Sequence, residues 1–202
     1  MAIPAAVCSG AAGGSLIPDA KGVIKTMITA ETVQRMEEIT NRYIQELDDF
    51  SMEQLIRKPS ENEWSLGQMY VHLINTALNM QLRNIELCRH QSAHEAAEAE
   101  GKTEAGEAIF RNGSFPPVRI QVQTAIPDQP LTKQQIVEGL NTVVRRMKEV
   151  EPLLEEISPQ HTVQHPRLGG LNAKEWFELV EMHYRHHLHQ KERLKVYLES
   201  NE

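Results

Sequence analysis

The sequence predicts an all-α protein, a four-helix bundle with one long crossover connection between its second and third helices. In four separate stretches apolar residues recur every three or four positions, the spacing that places them on one face of a helix. Three of these stretches open on a capping-box pattern, in which Ser, Thr or Asn is followed three residues later by Gln or Glu. Residues 100–131, between the second stretch and the third, lack this periodicity.

The first predicted helix runs from about Thr29 to Phe50 and is followed by RKPSENEW, where Pro59 breaks the pattern. Before it lies a Gly-, Ala- and Ser-rich segment, 1–28. This segment has no basic start and its apolar part is short, so we do not expect a secretory signal. We expect a flexible tail or a leader, with Met27 as a natural start, and a bundle domain over 29–202.

The second predicted helix begins after Ser65, which pairs with Gln68 in a capping box, and runs to about His94. The third begins after Thr132, which pairs with Gln135. Pro152 lies inside the apolar stripe of the third helix and predicts a kink or an end there.

The fourth predicted helix follows RLGGLN, where Asn172 and Glu175 form a variant of the capping box. Its apolar stripe contains Trp176, Val180, His183, His187, Gln190, Leu194 and Tyr197. Two histidines therefore lie on the face that is expected to meet the core.

The crossover contains GSFPPVRIQVQTAIPDQP, in which Val118, Ile120 and Val122 alternate with polar residues. A loop of this length in a compact domain is usually functional or disordered. Because its apolar content is high for a free linker, we expect part of 112–123 to pack beside the functional site.

Composition argues against two classes of partner. Lys and Arg total 21 against 28 Asp and Glu, for a net charge of -7, which disfavours binding to a phosphate backbone. No apolar run approaches the ~20 residues that span a bilayer. Cys8 and Cys88 show neither metal-type nor disulfide spacing and are expected to be free thiols. We therefore expect a cytoplasmic protein that binds neither nucleic acid nor membranes.

His183 and His187 lie four residues apart, one helical turn, which is a spacing that suits two imidazole ligands of one metal ion. Burial of an unpaired polar group costs about 1–3 kcal/mol, so either a metal or hydrogen bonds should satisfy these rings. His72 lies on a polar line beside the apolar stripe of the second helix, either the wall of a cavity or a solvated face. Together the three histidines would form a site with open positions, typical of catalysis.

The segment EWSLGQMYVHL, followed far downstream by WFELVEMHYRHHLHQ, resembles the DinB/YfiT-like superfamily of metal-binding four-helix bundles. The family pattern is a Trp-Ser start leading to one His on the second helix, then a C-terminal helix with H-x-x-x-H. The resemblance covers about Thr29 to Glu202. It implies that the metal-binding histidines are His72, His183 and His187 and that the crossover joins helices 2 and 3.

The resemblance also implies one divalent ion, zinc or nickel, and a small-molecule substrate. Some relatives transfer a low-molecular-weight thiol such as bacillithiol, others isomerise with mycothiol, and many are described as metal-dependent hydrolases. We therefore expect a hydrolase or, with a slight preference, a thiol S-transferase with a thiol co-substrate. Relatives often dimerise, which implies a homodimer.

Four residues are candidates for the ligand pocket around this metal: Asn79, Arg83, Tyr184 and His186. The Arg83 guanidinium has the geometry to bind a ligand carboxylate in a bidentate manner. The alternative to an enzyme is a non-catalytic bundle in which the metal, or a hydrogen-bonded histidine cluster without metal, is structural.

Overall fold

The computed structural model describes residues 20–92, 100–116 and 126–201, with side chains from Thr29 onward. The fold is all-α apart from one small hairpin, as predicted. The helices are α1 (Ala20–Leu47), α2 (Met52–Ile56), α3 (Leu66–Thr76), α4 (Leu82–His90), α5 (Glu104–Asn112), α6 (Lys133–Val150) and α7 (Ala173–Glu199). The four helices of the bundle are α1, the continuous rod of α3 and α4, α6, and α7. α1 begins within the segment 1–28, and the division of the chain into a tail and a domain stays a prediction.

The predicted starts of the second, third and fourth helices of the bundle are confirmed by their caps, whereas the first helix, predicted from about Thr29 to Phe50, runs from Ala20 to Leu47. The hydroxyls of Ser65 and Thr132 and the side-chain oxygen of Asn172 each accept a hydrogen bond from the backbone N–H three residues on. Such a bond satisfies one of the free N–H groups of the first helical turn. Pro152 acts as predicted: α6 ends at Val150, and the chain continues as a 3-10 helix, Glu151–Glu156.

The second long helix departs from the prediction in two places. A π-helical segment, Ala77–Gln81, joins α3 to α4, with the Leu82 N–H bonded to the Ala77 carbonyl. The helix then ends at His90, before the predicted end near His94. Gln91 takes an extended conformation there, and its side-chain amide donates to the Thr162 carbonyl at 2.9 Å. A tertiary contact therefore sets this boundary.

The second and third helices of the bundle run in the same direction. At one end Gly67 lies against Pro130, and further along Glu86 reaches Arg146 at 4.0 Å. The rod from Leu66 to His90 rises about 37 Å at 1.5 Å per residue. Because the chain leaves α4 at one end of the bundle and enters α6 at the other, it must travel back along this length. The long crossover that the sequence predicts follows from the parallel direction of these two helices.

A two-stranded antiparallel hairpin, absent from the prediction, holds the start of this crossover. Its strands are β1 (Thr162–His165) and β2 (Gly169–Asn172). The Gly170 N–H donates to the Gly101 carbonyl at 3.0 Å, and the Thr103 N–H donates to the Leu168 carbonyl at 2.9 Å. A Cβ atom on Gly170 would lie 2.0 Å from the Glu100 carbonyl oxygen. The Gly-Gly pair of RLGGLN therefore permits two backbones to meet.

Three tyrosines tie the helices together at the centre of the bundle. Tyr43 in α1 packs edge-on against Tyr70 in α3 and Tyr184 in α7, with ring centroids 5.5 and 6.0 Å away. The Tyr43 hydroxyl donates to the Tyr184 carbonyl and the Tyr70 hydroxyl to the Tyr43 carbonyl, both at 3.0 Å. Nearby, the buried Lys191 ammonium lies 2.6 Å from a Glu46 carboxylate oxygen. These contacts set the position of α7 relative to α1 and α3.

Over the part of the chain that the structure describes, no helix has both the length and the apolar character needed to cross a bilayer.

We predict that Gly170→Ala destabilises the protein by about 1–3 kcal/mol, because the new methyl group overlaps the Glu100 carbonyl and pushes the crossover off the hairpin. Urea unfolding measures the change. Gly101→Ala is the matched control, since a Cβ there meets nothing within 4 Å, and its effect should stay within about 0.5 kcal/mol. Equal effects from the two substitutions would contradict this account.

Candidate metal centre

Three imidazoles meet between α3 and α7. His183 and His187 lie one turn apart on α7, and His72 reaches them from α3. The His183 Nε2 atom lies 3.2 Å from Nε2 of His72 and 3.1 Å from Nε2 of His187. The three possible ligand atoms lie within 4.8 Å of one another. The structure thus brings together the three histidines that the sequence singled out.

This arrangement fits a metal ion in its dimensions. Two nitrogens that each lie about 2.05 Å from one ion, at the tetrahedral angle, are about 3.3 Å apart. The two short Nε2–Nε2 distances, 3.1 and 3.2 Å, are close to that value. Three imidazoles leave at least one coordination position open, which is the composition of catalytic rather than closed structural zinc sites.

The hydrogen bonds around the cluster also favour a ligand role. His187 Nδ1 lies 2.7 Å from the Gln190 Oε1 atom, which can only accept, so Nδ1 carries the proton and Nε2 has a free lone pair. His72 Nδ1 lies 3.4 Å from the Thr76 hydroxyl, which can accept the same kind of bond. Partners of this type orient metal-binding histidines and select their tautomer.

The two other imidazoles cannot satisfy both ring nitrogens of His183. Its Nε2 atom faces two other Nε2 atoms but can donate a proton to only one of them. Its Nδ1 atom is buried and has no hydrogen-bond partner among the described residues. A cation at the common point would satisfy the lone pairs that otherwise face each other.

Burial keeps these rings neutral. It lowers the pKa of His72 to about 4 and the pKa of His187 to about 3, from the ordinary value of 6.5. Burial, followed by the neighbouring imidazoles, holds the pKa of His183 well below the ordinary value. A metal must displace protons from its ligands, so imidazoles that are already neutral at pH 7 are ready to bind one.

Two aromatic rings line the cluster. The Trp64 ring lies 4.8 Å from the His72 ring, centroid to centroid. The Phe115 ring lies 5.2 Å from His186 and 6.4 Å from His183. Phe115 belongs to the predicted crossover segment 112–123, so the described part of that segment lies beside the imidazoles. Residues 117–123 lie outside the described residues.

An ion pair on α7 holds the crossover in this position. Arg185 binds Glu181 through two hydrogen bonds of 2.8 and 3.0 Å, and Glu181 is buried. The Arg185 guanidinium also donates to the Gly113 carbonyl at 2.7 Å. Gly113 ends α5 with φ 61, a left-handed conformation that favours glycine. The chain therefore turns at Gly113 and carries Phe115 toward the histidines.

The four predicted pocket residues lie in three different places. His186 is beside the cluster, with its ring centroid 5.5 Å from that of His187. Tyr184 is buried in the core, and its hydroxyl has no partner among the described residues. Asn79 and Arg83 line a surface cavity of about 500 Å³ between α4 and α6. The role of all four in a ligand pocket stays a prediction.

The π-helical segment explains the position of Asn79 and Arg83. Ordinary α-helical spacing places both residues on one line with His72 and Thr76. A π turn closes its hydrogen bond over five residues rather than four, so residues beyond it are rotated relative to that line. No polar or ring contact among the described residues joins Asn79 or Arg83 to the imidazoles. The sequence carries no clear signal for the π segment or for the role of Arg185, and it indicates Phe115 only as part of the segment 112–123 and Gln190 only as a member of the stripe that contains His187.

The lowered pKa values predict how the stability of the metal-free protein depends on pH. Unfolded histidines take up protons near pH 6.5, whereas folded His72 and His187 stay neutral until about pH 4 and 3. Below pH 6.5 the unfolded state therefore binds more protons, and the free energy of unfolding falls as the pH falls. Above pH 6.5 these two residues contribute no slope.

Urea unfolding of chelator-treated protein between pH 7.5 and 5 measures this dependence. His187→Asn should flatten the slope between pH 6.5 and 5, because one neutral buried ring is gone. A variant with the wild-type slope would contradict the assignment. His189→Asn, at an exposed position on the same helix, is the matched control and should keep that slope.

We predict that Gln190→Leu weakens zinc binding by about 10- to 100-fold, because the acceptor that orients the His187 ring is lost. Isothermal titration calorimetry measures the dissociation constant. Gln190→Glu keeps an acceptor at the same position, and its dissociation constant for zinc should be close to that of the unchanged protein. If Gln190→Leu binds zinc as tightly as the unchanged protein, the side chain does not position the ligand.

Comparison with known proteins identifies the family. The family model of the DinB superfamily matches residues 35–190, a range that contains all three histidines and most of the bundle. A search of curated proteins and a search of solved structures gave no significant match. The matched range covers more than half of the chain, and the chain therefore belongs to the DinB superfamily.

Proposed function

We propose that this protein is a metal-dependent enzyme that activates water or a low-molecular-weight thiol at His72, His183 and His187 and acts on a small molecule. The observation that carries the proposal is the convergence of three Nε2 atoms: that of His183 lies 3.2 Å from that of His72 and 3.1 Å from that of His187, and the His187 ring proton is directed away toward Gln190. Family membership and the composition of the cluster are compatible with this function.

A divalent ion held by three imidazoles, zinc or nickel in our proposal, lowers the pKa of a water or thiol that occupies its open position, so that a nucleophile forms near neutral pH. The protein supplies the geometry. Gln190 holds the His187 proton on Nδ1, and Thr76 lies beside Nδ1 of His72. The rigid helices α3 and α7 carry the three rings, which limits their movement.

The surroundings support a reactive rather than a purely structural site. All three rings lie in a partly buried cluster between two helices, not at the centre of the core. Trp64 and Phe115 are only partly buried beside it. A structural metal site is typically closed by a fourth protein ligand, and within the described residues the group contains three.

The choice between hydrolysis and thiol transfer belongs to the proposal, with a slight preference for S-transfer from the family resemblance. The same holds for a thiol co-substrate, a cytoplasmic location and a homodimer. The non-catalytic alternative predicts a bound metal without exchangeable water, or no metal. Cobalt-substituted protein distinguishes these, because an open position changes its visible spectrum when azide is added, whereas a closed site does not respond.

We predict that His187→Ala abolishes stoichiometric binding of zinc while the protein stays folded, because the other helices and the tyrosine cluster supply most of the core. Zinc at about 100 times its dissociation constant stabilises the unchanged protein by about 2.7 kcal/mol. For a chain of this size that corresponds to roughly 5–11 °C in Tm. Calorimetry with and without chelator should show this shift in the unchanged protein and none in the variant.

His189→Ala is the matched control, because this residue is exposed on the same helix and should keep both zinc and the Tm shift. Metal bound by His187→Ala at full stoichiometry would overturn the site. If the unchanged protein binds zinc but neither a thiol-electrophile screen nor an ester and amide hydrolysis screen shows turnover that chelator removes, the structural alternative is supported instead.

A further inference from the structure

We propose that the histidine site takes an uncharged ligand with an aromatic or other flat apolar group, held against Trp64 and Phe115. This inference rests on the proposed function for the identity of the reactive centre, but it concerns the surface around that centre. It names the class of substrate and sets the site apart from one that binds a phosphate or a carboxylate.

The first support is the placement of the two rings. Trp64 contacts the imidazole that comes from α3, and Phe115 contacts two imidazoles of α7, so each side of the cluster carries an aromatic side chain. Both side chains are only partly buried, which leaves aromatic surface for a ligand. Stacked or edge-on aromatic contacts prefer ring centroids 4.5–7 Å apart, the range in which these rings already pack.

The second support is that none of the polar contacts made by the three rings in the described part of the chain is to a charged side chain. Within the described ranges, the polar contacts of His72, His183 and His187 are to one another, to Thr76 and to Gln190. A carboxylate or phosphate on the part of a ligand that lies away from the ion would lose its hydration without gaining an ion pair from these groups. Arg83, the residue predicted from sequence to bind a carboxylate, lines the separate cavity between α4 and α6 together with Asn79.

The third support is that Arg185 of α7, which contacts the crossover at Gly113, already has a carboxylate partner. Arg185 binds the buried Glu181 in bidentate fashion through Nε and Nη2, and Nη2 also donates to the Gly113 carbonyl. Breaking this arrangement to bind a ligand would leave a buried carboxylate unpaired. Arg185 therefore holds the turn at Gly113, two residues before Phe115, and the charge of its guanidinium is already balanced by Glu181.

The first experiment needs no metal. Chelator-treated protein is titrated with benzyl alcohol, cyclohexylmethanol and benzoate while tryptophan emission is recorded. Benzyl alcohol should change the emission at lower concentration than the other two. Trp64→Phe should abolish this change, because Trp176 is buried in the core. Phe115→Leu, which keeps apolar volume but removes the flat ring, should weaken binding roughly 2- to 10-fold.

The second experiment uses cobalt-loaded protein and three thiols that differ in the attached group: benzyl mercaptan, cyclohexylmethanethiol and mercaptoacetate. The visible spectrum reports binding of the sulfur. We expect benzyl mercaptan to bind tightest, and Trp64→Ala and Phe115→Ala each to reduce this preference. Phe110→Ala is the matched control, since Phe110 lies on the same crossover but packs against the core, and it should keep the preference.

The outcomes separate this inference from the proposed function. Tighter binding of benzoate or mercaptoacetate than of the neutral aromatic probes overturns the inference, as does a preference that survives both aromatic substitutions. If cobalt does not bind, the proposed function fails, and the fluorescence titration still decides whether the aromatic surface takes a ligand. If cobalt binds but the probes do not differ in affinity, only the inference fails.

Discussion

The parallel direction of the second and third helices is the constraint on which the rest of this structure depends. Two parallel helices cannot be joined by a short turn, so the chain must return along the bundle before α6 begins. That return is anchored at its start by the hairpin, where Gly170 meets the backbone of Gly101. It then passes through α5, and the Arg185 guanidinium donates a hydrogen bond to the Gly113 carbonyl near the histidines. The segment that connects the two parallel helices thus also lies beside the histidine cluster.

The fold holds three imidazole rings close together although their nitrogen atoms cannot all be satisfied by hydrogen bonds to one another. Each ring loses hydration, and burial lowers the pKa values so that the cluster is neutral at pH 7. Among neutral rings, one of the two close Nε2–Nε2 contacts is left without a hydrogen bond, because His183 Nε2 can donate to only one neighbour. The arrangement persists because the tyrosine contacts and the helix packing fix α3 against α7. A cation is the partner that would relieve the conflict.

Because of its π segment, the second long helix presents residues on either side of Ala77 to different surroundings. Before the segment, His72 and Thr76 belong to the candidate metal centre. Asn79 within the segment and Arg83 after it line a cavity shared with α6. One turn with a longer hydrogen-bonded ring is enough to separate residues that regular spacing would align. π turns often occur near functional sites, and here one lies directly after the turn that carries Thr76.

The sequence by itself determined the bundle, its capped helix starts, the break at Pro152 and the spacing of His183 and His187. These features are local: a cap, a proline or a spacing of four residues has its effect within one or two turns of chain. Only the tertiary structure decided how close His72 comes to the other two rings, which side Arg83 faces, where the second helix ends and that Phe115 lies at the site. Those outcomes depend on the register between helices and on contacts such as Arg185 with Gly113 and Gln91 with Thr162. Residues far apart in the chain make such contacts, so no periodicity in the sequence encodes them.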